Sequence, residues 1–141
     1  LVAGAVLGLA QWLALRPRMS PWWIAATAGG LAVGAAVGTL VTVGATDLGS
    51  LVAFGAISGT VVGLAQGVLL GVRRLAPWAA TVAGSWAIAW LITTLVIIDE
   101  QRGFVLFGLS GAAVATVLTG VVLRLMLGAR VRPVRAAEVS A

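Results

Sequence analysis

Long apolar blocks alternate with short polar breaks along the chain. The blocks run from Leu1 to Leu15, Trp22 to about Ala45, Leu51 to Val72, Trp78 to Ile98 and Phe104 to about Leu127. Most are about twenty residues long, the length that crosses a hydrocarbon layer about 30 Å thick at about 1.5 Å per residue. The first is short at its start. It lacks a basic leading region and a polar stretch after a cleavage site, so it reads as a span rather than a signal peptide. No block contains proline. Pro17, Pro21 and Pro77 fall in breaks or just before helices, where a missing N–H does no harm, and Pro133 lies near the end. The expected fold is all-α, an integral membrane bundle of five transmembrane helices. Residues 1–128 form one transmembrane domain, with hairpins at 1–45 and 51–98 and a fifth helix at 104–127; residues 129–141 form a basic cytoplasmic tail.

The breaks set an orientation. Arg16 and Arg18 lie in the first, Arg73 and Arg74 in the third, and Arg124, Arg130, Arg132 and Arg135 at or beyond the end of the fifth span. The second break carries Asp47 and no base; the fourth carries Asp99, Glu100 and Arg102. With five spans, eight arginines fall on one side and one on the other. Cytoplasmic loops collect Lys and Arg, which puts the C-terminus in the cytoplasm and the N-terminus outside a cell's inner membrane. Trp12, Trp22, Trp23 and Trp78 then sit near the inner interface, and Phe54, Phe104 and Phe107 near the outer one. Trp86 and Trp90 fall mid-span, either against a neighbour's glycines or facing lipid.

Two stretches repeat. "GAVLGLAQ" from Gly4 and "GTVVGLAQ" from Gly59 align at a shift of 55, and a shift of 56 lays Arg18 on Arg74 and Pro21-Trp22 on Pro77-Trp78. The first two spans are thus one hairpin, and the next two are a second copy in the same orientation. The fifth span carries a fainter half-copy, "TGVVLRL" from Thr119 against "QGVLLGV" from Gln66. Small residues recur every fourth position, at Gly4 and Gly8, at Gly30, Gly34 and Gly38, and at Gly55, Gly59, Gly63, Gly67 and Gly71. In lipid, where hydrophobic drive between helices is weak, such ridges bring backbones into contact. Four residues turn about 400°, so the ladder slants around its helix. The third helix should be central, meeting one neighbour near its outer end and another near its inner end.

Gln11 and Gln66 each follow a ladder glycine by seven residues, nearly two turns, and so share its protein-facing face. With Ser58 and Thr119 they are the candidate polar positions. They either hydrogen-bond between helices or line a path through the bundle between the first, third and fifth helices.

Composition narrows the chemistry. Only 9% of the 141 residues are charged, against about 25% in soluble domains, too few to cover a surface in water. Cys and His are absent, and so are Lys and Tyr, which removes disulfides, Cys- or His-ligated metal sites, His or Cys catalysis and Lys Schiff-base chemistry. No span holds Asp or Glu, the usual carriers of proton relays and ion-coupled transport. "GGLAVG" from Gly29 follows no strand and has no Lys to complete a phosphate loop, so it reads as packing. Asp47 and the Asp99–Glu100 pair read as turn residues. Arg130, Arg132 and Arg135 suit anionic inner-leaflet lipid, at about 1 kcal/mol each near the surface, better than nucleic acid. No cofactor is expected.

The stretch "GLAQW" from Gly8 to Trp12, followed by "LALRPR", resembles a loose set of uncharacterised bacterial multi-pass membrane proteins. The resemblance covers about the first 90 residues. The second copy departs from it, with Gly67 in place of Trp. The resemblance implies a membrane location and carries over no functional residue. The expectation is a protein without catalysis, acting as an accessory, assembly or scaffolding subunit with a membrane-protein partner or a second copy of itself. A small channel or facilitator lined by Gln11 and Gln66 is the alternative.

Overall fold

The structure is a computed structural model that describes residues 1–16, 18–96 and 103–128, with side chains at all of these except 95–96, 103–110, 112 and 128. Asp99, Glu100, Arg102 and the tail arginines lie outside the described residues, as do the side chains of Phe104 and Phe107. Five helices are present among the described residues: α1 (Val2–Leu15), α2 (Trp22–Thr42), α3 (Leu48–Leu70), α4 (Val72–Val96) and α5 (Gly103–Gly128). Three segments, Trp22–Thr42, Leu48–Leu70 and Val72–Thr94, are long and apolar enough to cross a membrane. The 14 residues of α1 rise only about 21 Å.

Each helix packs on its neighbours in sequence, most extensively α3 on α4. The chain therefore goes up and down in a row. The C-terminal ends of α1, α3 and α5 lie beside the N-terminal ends of α2 and α4. Trp23 bonds Gln11, Trp78 bonds Gln66, and the Arg74 guanidinium donates to the Met126 carbonyl at 3.4 Å. Arg16, Arg18, Arg73, Arg74 and Arg124 all belong to segments at this end. So does the core of Trp23, Val62, Trp78, Val82 and Leu123.

The helix boundaries differ from expectation in two places. The third helix begins at Leu48 because Asp47 caps it, its carboxylate accepting from the Ser50 N–H at 3.0 Å and the Ser50 hydroxyl at 2.5 Å. These bonds, the hydroxyl's first, hold the Asp47 carboxyl below its ordinary range. At the other end only Gly71 interrupts the helices. Its φ of 90° is one that side-chain-bearing residues rarely adopt, and nothing lies within 4 Å of where a Cβ would stand. Gly71 is thus the break between α3 and α4 rather than a rung of the packing ladder. α4 starts at Val72 and runs through Pro77. The bond lost there is the one to the Arg73 carbonyl, on an exposed residue that water serves.

The other glycines are contact points. A Cβ on Gly4 would come within 2.8 Å of Ala28 Cα, and one on Gly8 within 3.0 Å of Ile24 Cα, both on α2. Gly30, Gly34 and Gly38 meet Val62, Ser58 and Phe54 on α3. Gly55, Gly59, Gly63 and Gly67 meet Trp90, Ala83, Ala79 and Leu75, all on α4. α3 is indeed flanked on both sides, but its ladder does not divide between two neighbours as expected. A helix that crosses along the slanted i,i+4 ridge stays on it for its whole length. α2 uses a different face of α3.

Trp86 and Trp90 lie over this ladder. The Trp86 Cβ covers Gly59, and the Trp90 ring covers Gly55 and meets Phe54 edge-on at 5.3 Å between centroids. Glycine here makes room for indole.

Candidate functional site

The polar residues named from sequence converge near the arginine end. Gln66, on the last turns of α3, is 1% exposed. Its Oε1 accepts from Trp78 Nε1 at 3.1 Å. Its Nε2 donates to Thr27 Oγ1 at 2.8 Å and to Gln11 Oε1 at 3.2 Å. Gln11 Oε1 also accepts from Trp23 Nε1 at 3.0 Å. Thr27 completes the chain by donating to the Trp23 carbonyl at 2.8 Å. An indole N–H only donates, so the two tryptophans fix which end of each amide is oxygen. The indoles themselves pack at 6.1 Å and 51°.

The geometry repeats. Each Gln bonds the Trp twelve residues later, and the two pairs stand 55 residues apart. Gly4 meets Ala28 and Leu31; Gly59 meets Ala83 and Trp86. Gly8 meets Ile24 and Thr27; Gly63 meets Ala79 and Val82. The same shift of 55 relates every one of these positions. The partner of Trp78 is therefore Trp23, not Trp22 as the shift of 56 suggests. Trp22 is 71% exposed, whereas Trp23 and Trp78 are each 1% exposed. Sequence reasoning followed the Pro-Trp dipeptide and missed Trp23. Holding the glutamine shift constant would have found it.

Thr27, on the helix that precedes α3, gives Gln66 a hydroxyl partner, and no described helix gives Gln11 an equivalent one. The Gln11 amide nitrogen has no hydrogen-bond partner among the described residues.

Ser58 and Thr119 do not join this network. Ser58 is fully buried against Gly34 and Gly38, and its Oγ lacks a hydrogen-bond partner among the described residues. Thr119 is 5% exposed and donates to the Ala115 carbonyl at 2.6 Å.

A cleft of about 230 Å³ opens between α1 and α5, which do not pack on each other. Ala3, Leu7 and Gln11 form one wall and Gly111, Thr116 and Thr119 part of the other; Trp86 and Trp90 form part of the back. Gln66 does not line it. The lining is largely apolar, with no ionisable side chain. No three of His, Cys, Asp and Glu come together among the described residues. The arrangement can hold an apolar group with one or two hydrogen bonds at its arginine end. Compared with protein-family models, curated proteins and solved structures, the chain matches none.

Proposed function

We propose that this chain is a multi-pass inner-membrane protein of five spans, N-terminus outside and C-terminus cytoplasmic, that serves without catalysis as an accessory, assembly or scaffolding subunit. One observation carries the reading. The Gln66 amide and the Gln11 amide oxygen, polar groups a path would need, are bound to Trp23, Trp78, Thr27 and each other, and tie together four pairs of helices: α1–α2, α1–α3, α2–α3 and α3–α4. A conduit keeps such groups free for water or solute. Here Gln66 is sealed, and the buried indoles of Trp23 and Trp78 hold the two glutamine oxygens. Placing all the described arginines at one end supports the orientation. The constant shift of 55 supports descent of α1–α2 and α3–α4 from one duplicated hairpin with glycine-based packing.

The channel or facilitator reading has the cleft in its favour, since Gln11 and Thr119 border it. Flux assays in proteoliposomes separate the two. With water, glycerol and monovalent cations, the protein should leak no faster than empty vesicles. A flux that disappears in a folded Gln11→Leu/Gln66→Leu variant would overturn the accessory-subunit reading.

A further inference from the structure

Among the described residues, the helix interfaces form a series with one uncovered position. α3 presents Ser58 and Val62 to the preceding helix, where Gly34 and Gly30 of α2 cover them. α5 presents Gly111 to the preceding helix in the same way, against Ala89 and Thr93 of α4. Ala89 and Thr93 stand 55 residues after Gly34 and Gly38, and Gly111 stands 53 after Ser58, the shift that also lays Thr119 on Gln66. The two interfaces match even where residues trade places: the Ser58 hydroxyl lies over Gly38, and the Thr93 hydroxyl lies over Gly111.

α1 carries the same face at Ala3 and Leu7, 55 residues before Ser58 and Val62. No helix covers it. On α5, the positions matching Gly63 and Gly67 are Thr116 and Gly120. On α3 these meet α4; on α5 both are exposed, and nothing lies within 4 Å of a Cβ placed on Gly120. The uncovered face of α1 and the uncovered face of α5 both border the gap between them, and Leu7 and Thr116 line the cleft. The amide of Gln66 donates to Thr27 on the helix that covers α3. The equivalent amide nitrogen of Gln11 has no partner among the described residues, beside the equivalent uncovered face.

We propose that the cleft between α1 and α5 seats a transmembrane helix of a partner protein, which takes the place a sixth helix of the series would hold. The covered interfaces define its chemistry. α2 meets α3 through Thr27, Gly30, Gly34 and Gly38, and α4 meets α5 through Ala89 and Thr93. The incoming helix carries a hydroxyl that accepts from Gln11, and small residues three, seven and eleven positions further on that lie over Leu7 and Ala3. This names the docking surface for the accessory-subunit reading and rests on that reading.

Photocrosslinking in the native membrane tests it. A diazirine side chain is placed at Leu7, at Thr116 or, as a control on an outward face, at Val68, which is 67% exposed. Crosslinked peptides are identified by mass spectrometry. The proposal expects one transmembrane segment of one other protein to be captured from both Leu7 and Thr116 and not from Val68. Its sequence should show the hydroxyl and small-residue spacing, and a Leu7→Trp exchange should abolish capture from Thr116 without changing helix content. Lipid adducts alone, a second copy of this chain, or another segment of the same chain at both positions would overturn it. Capture of a partner from Val68 but not from the cleft would overturn the docking surface and leave the accessory-subunit reading standing. Finding no captured protein at any position would remove both.

Discussion

Replacing Gln66 by Leu removes the hub of the buried network at nearly constant volume. Three hydrogen bonds go: one accepted from Trp78 and two donated, to Thr27 and Gln11. Interhelical bonds in a membrane average about 0.6 kcal/mol and reach about 1.7, so three sum to about 2 and at most about 5 kcal/mol. The survivors are affected unequally. Thr27 keeps its bond to the Trp23 carbonyl, and Gln11 keeps Trp23. Trp78 loses its acceptor while 1% exposed, and an orphaned buried donor costs about 1–3 kcal/mol. We therefore expect a loss of about 2–4 kcal/mol, most of it at Trp78. Gln11→Leu likewise orphans Trp23, which is 1% exposed, but it removes two hydrogen bonds rather than three. It should cost less by about 0.6 kcal/mol, the worth of one such bond. Reversible unfolding by SDS in mixed micelles, followed by far-ultraviolet circular dichroism, measures both. In Gln66→Leu/Trp78→Phe no donor is stranded, so the double variant should be more stable than the sum of the single losses, by about 0.5–2 kcal/mol. Strict additivity, or a larger loss in Gln11→Leu, would refute the reasoning.

The glycines should divide sharply in the same assay. Gly59→Ala and Gly63→Ala place a methyl within 2.8 Å and 2.7 Å of α4 backbone and should each cost about 1–3 kcal/mol, while Gly29→Ala and Gly84→Ala, which meet nothing within 4 Å, should be neutral or mildly stabilising. Val43, a β-branched residue at φ 53° capping α2, should improve as Asn or Gly by about 1 kcal/mol; an unchanged midpoint would count against strain there. Asp47 holds its proton less tightly than an ordinary carboxyl because Ser50 bonds the charged form. The folded pKa lies below the unfolded one. The cap's contribution is therefore complete above the usual carboxylate range and fades as pH falls through the lowered value. Amide exchange at the start of α3, corrected for intrinsic rates, should speed up in acid in the native protein. It should be insensitive to pH in Asp47→Asn.

The apolar blocks were legible because lipid demands about twenty residues per span, and the all-α order α1 to α5 follows from them. The glutamine face was also legible, since seven residues bring Gln66 back over Gly59. Trp23 was not. Its importance lies in an indole reaching a neighbouring helix, which no dipeptide reveals, and the adjacent Trp22 looks the same in sequence. The extension of α4 through Pro77 escaped because a proline near an exposed helix end loses only one bond that water replaces. The gap between α1 and α5 is a property of the assembled row and emerges only when the interfaces are compared position by position.

If this bundle works by holding another membrane protein, the two leave the membrane together. Gentle extraction followed by native mass spectrometry weighs the particle directly. The account predicts this chain together with a different polypeptide in fixed ratio. A particle that contains only this chain, from membranes where it is active, would contradict it.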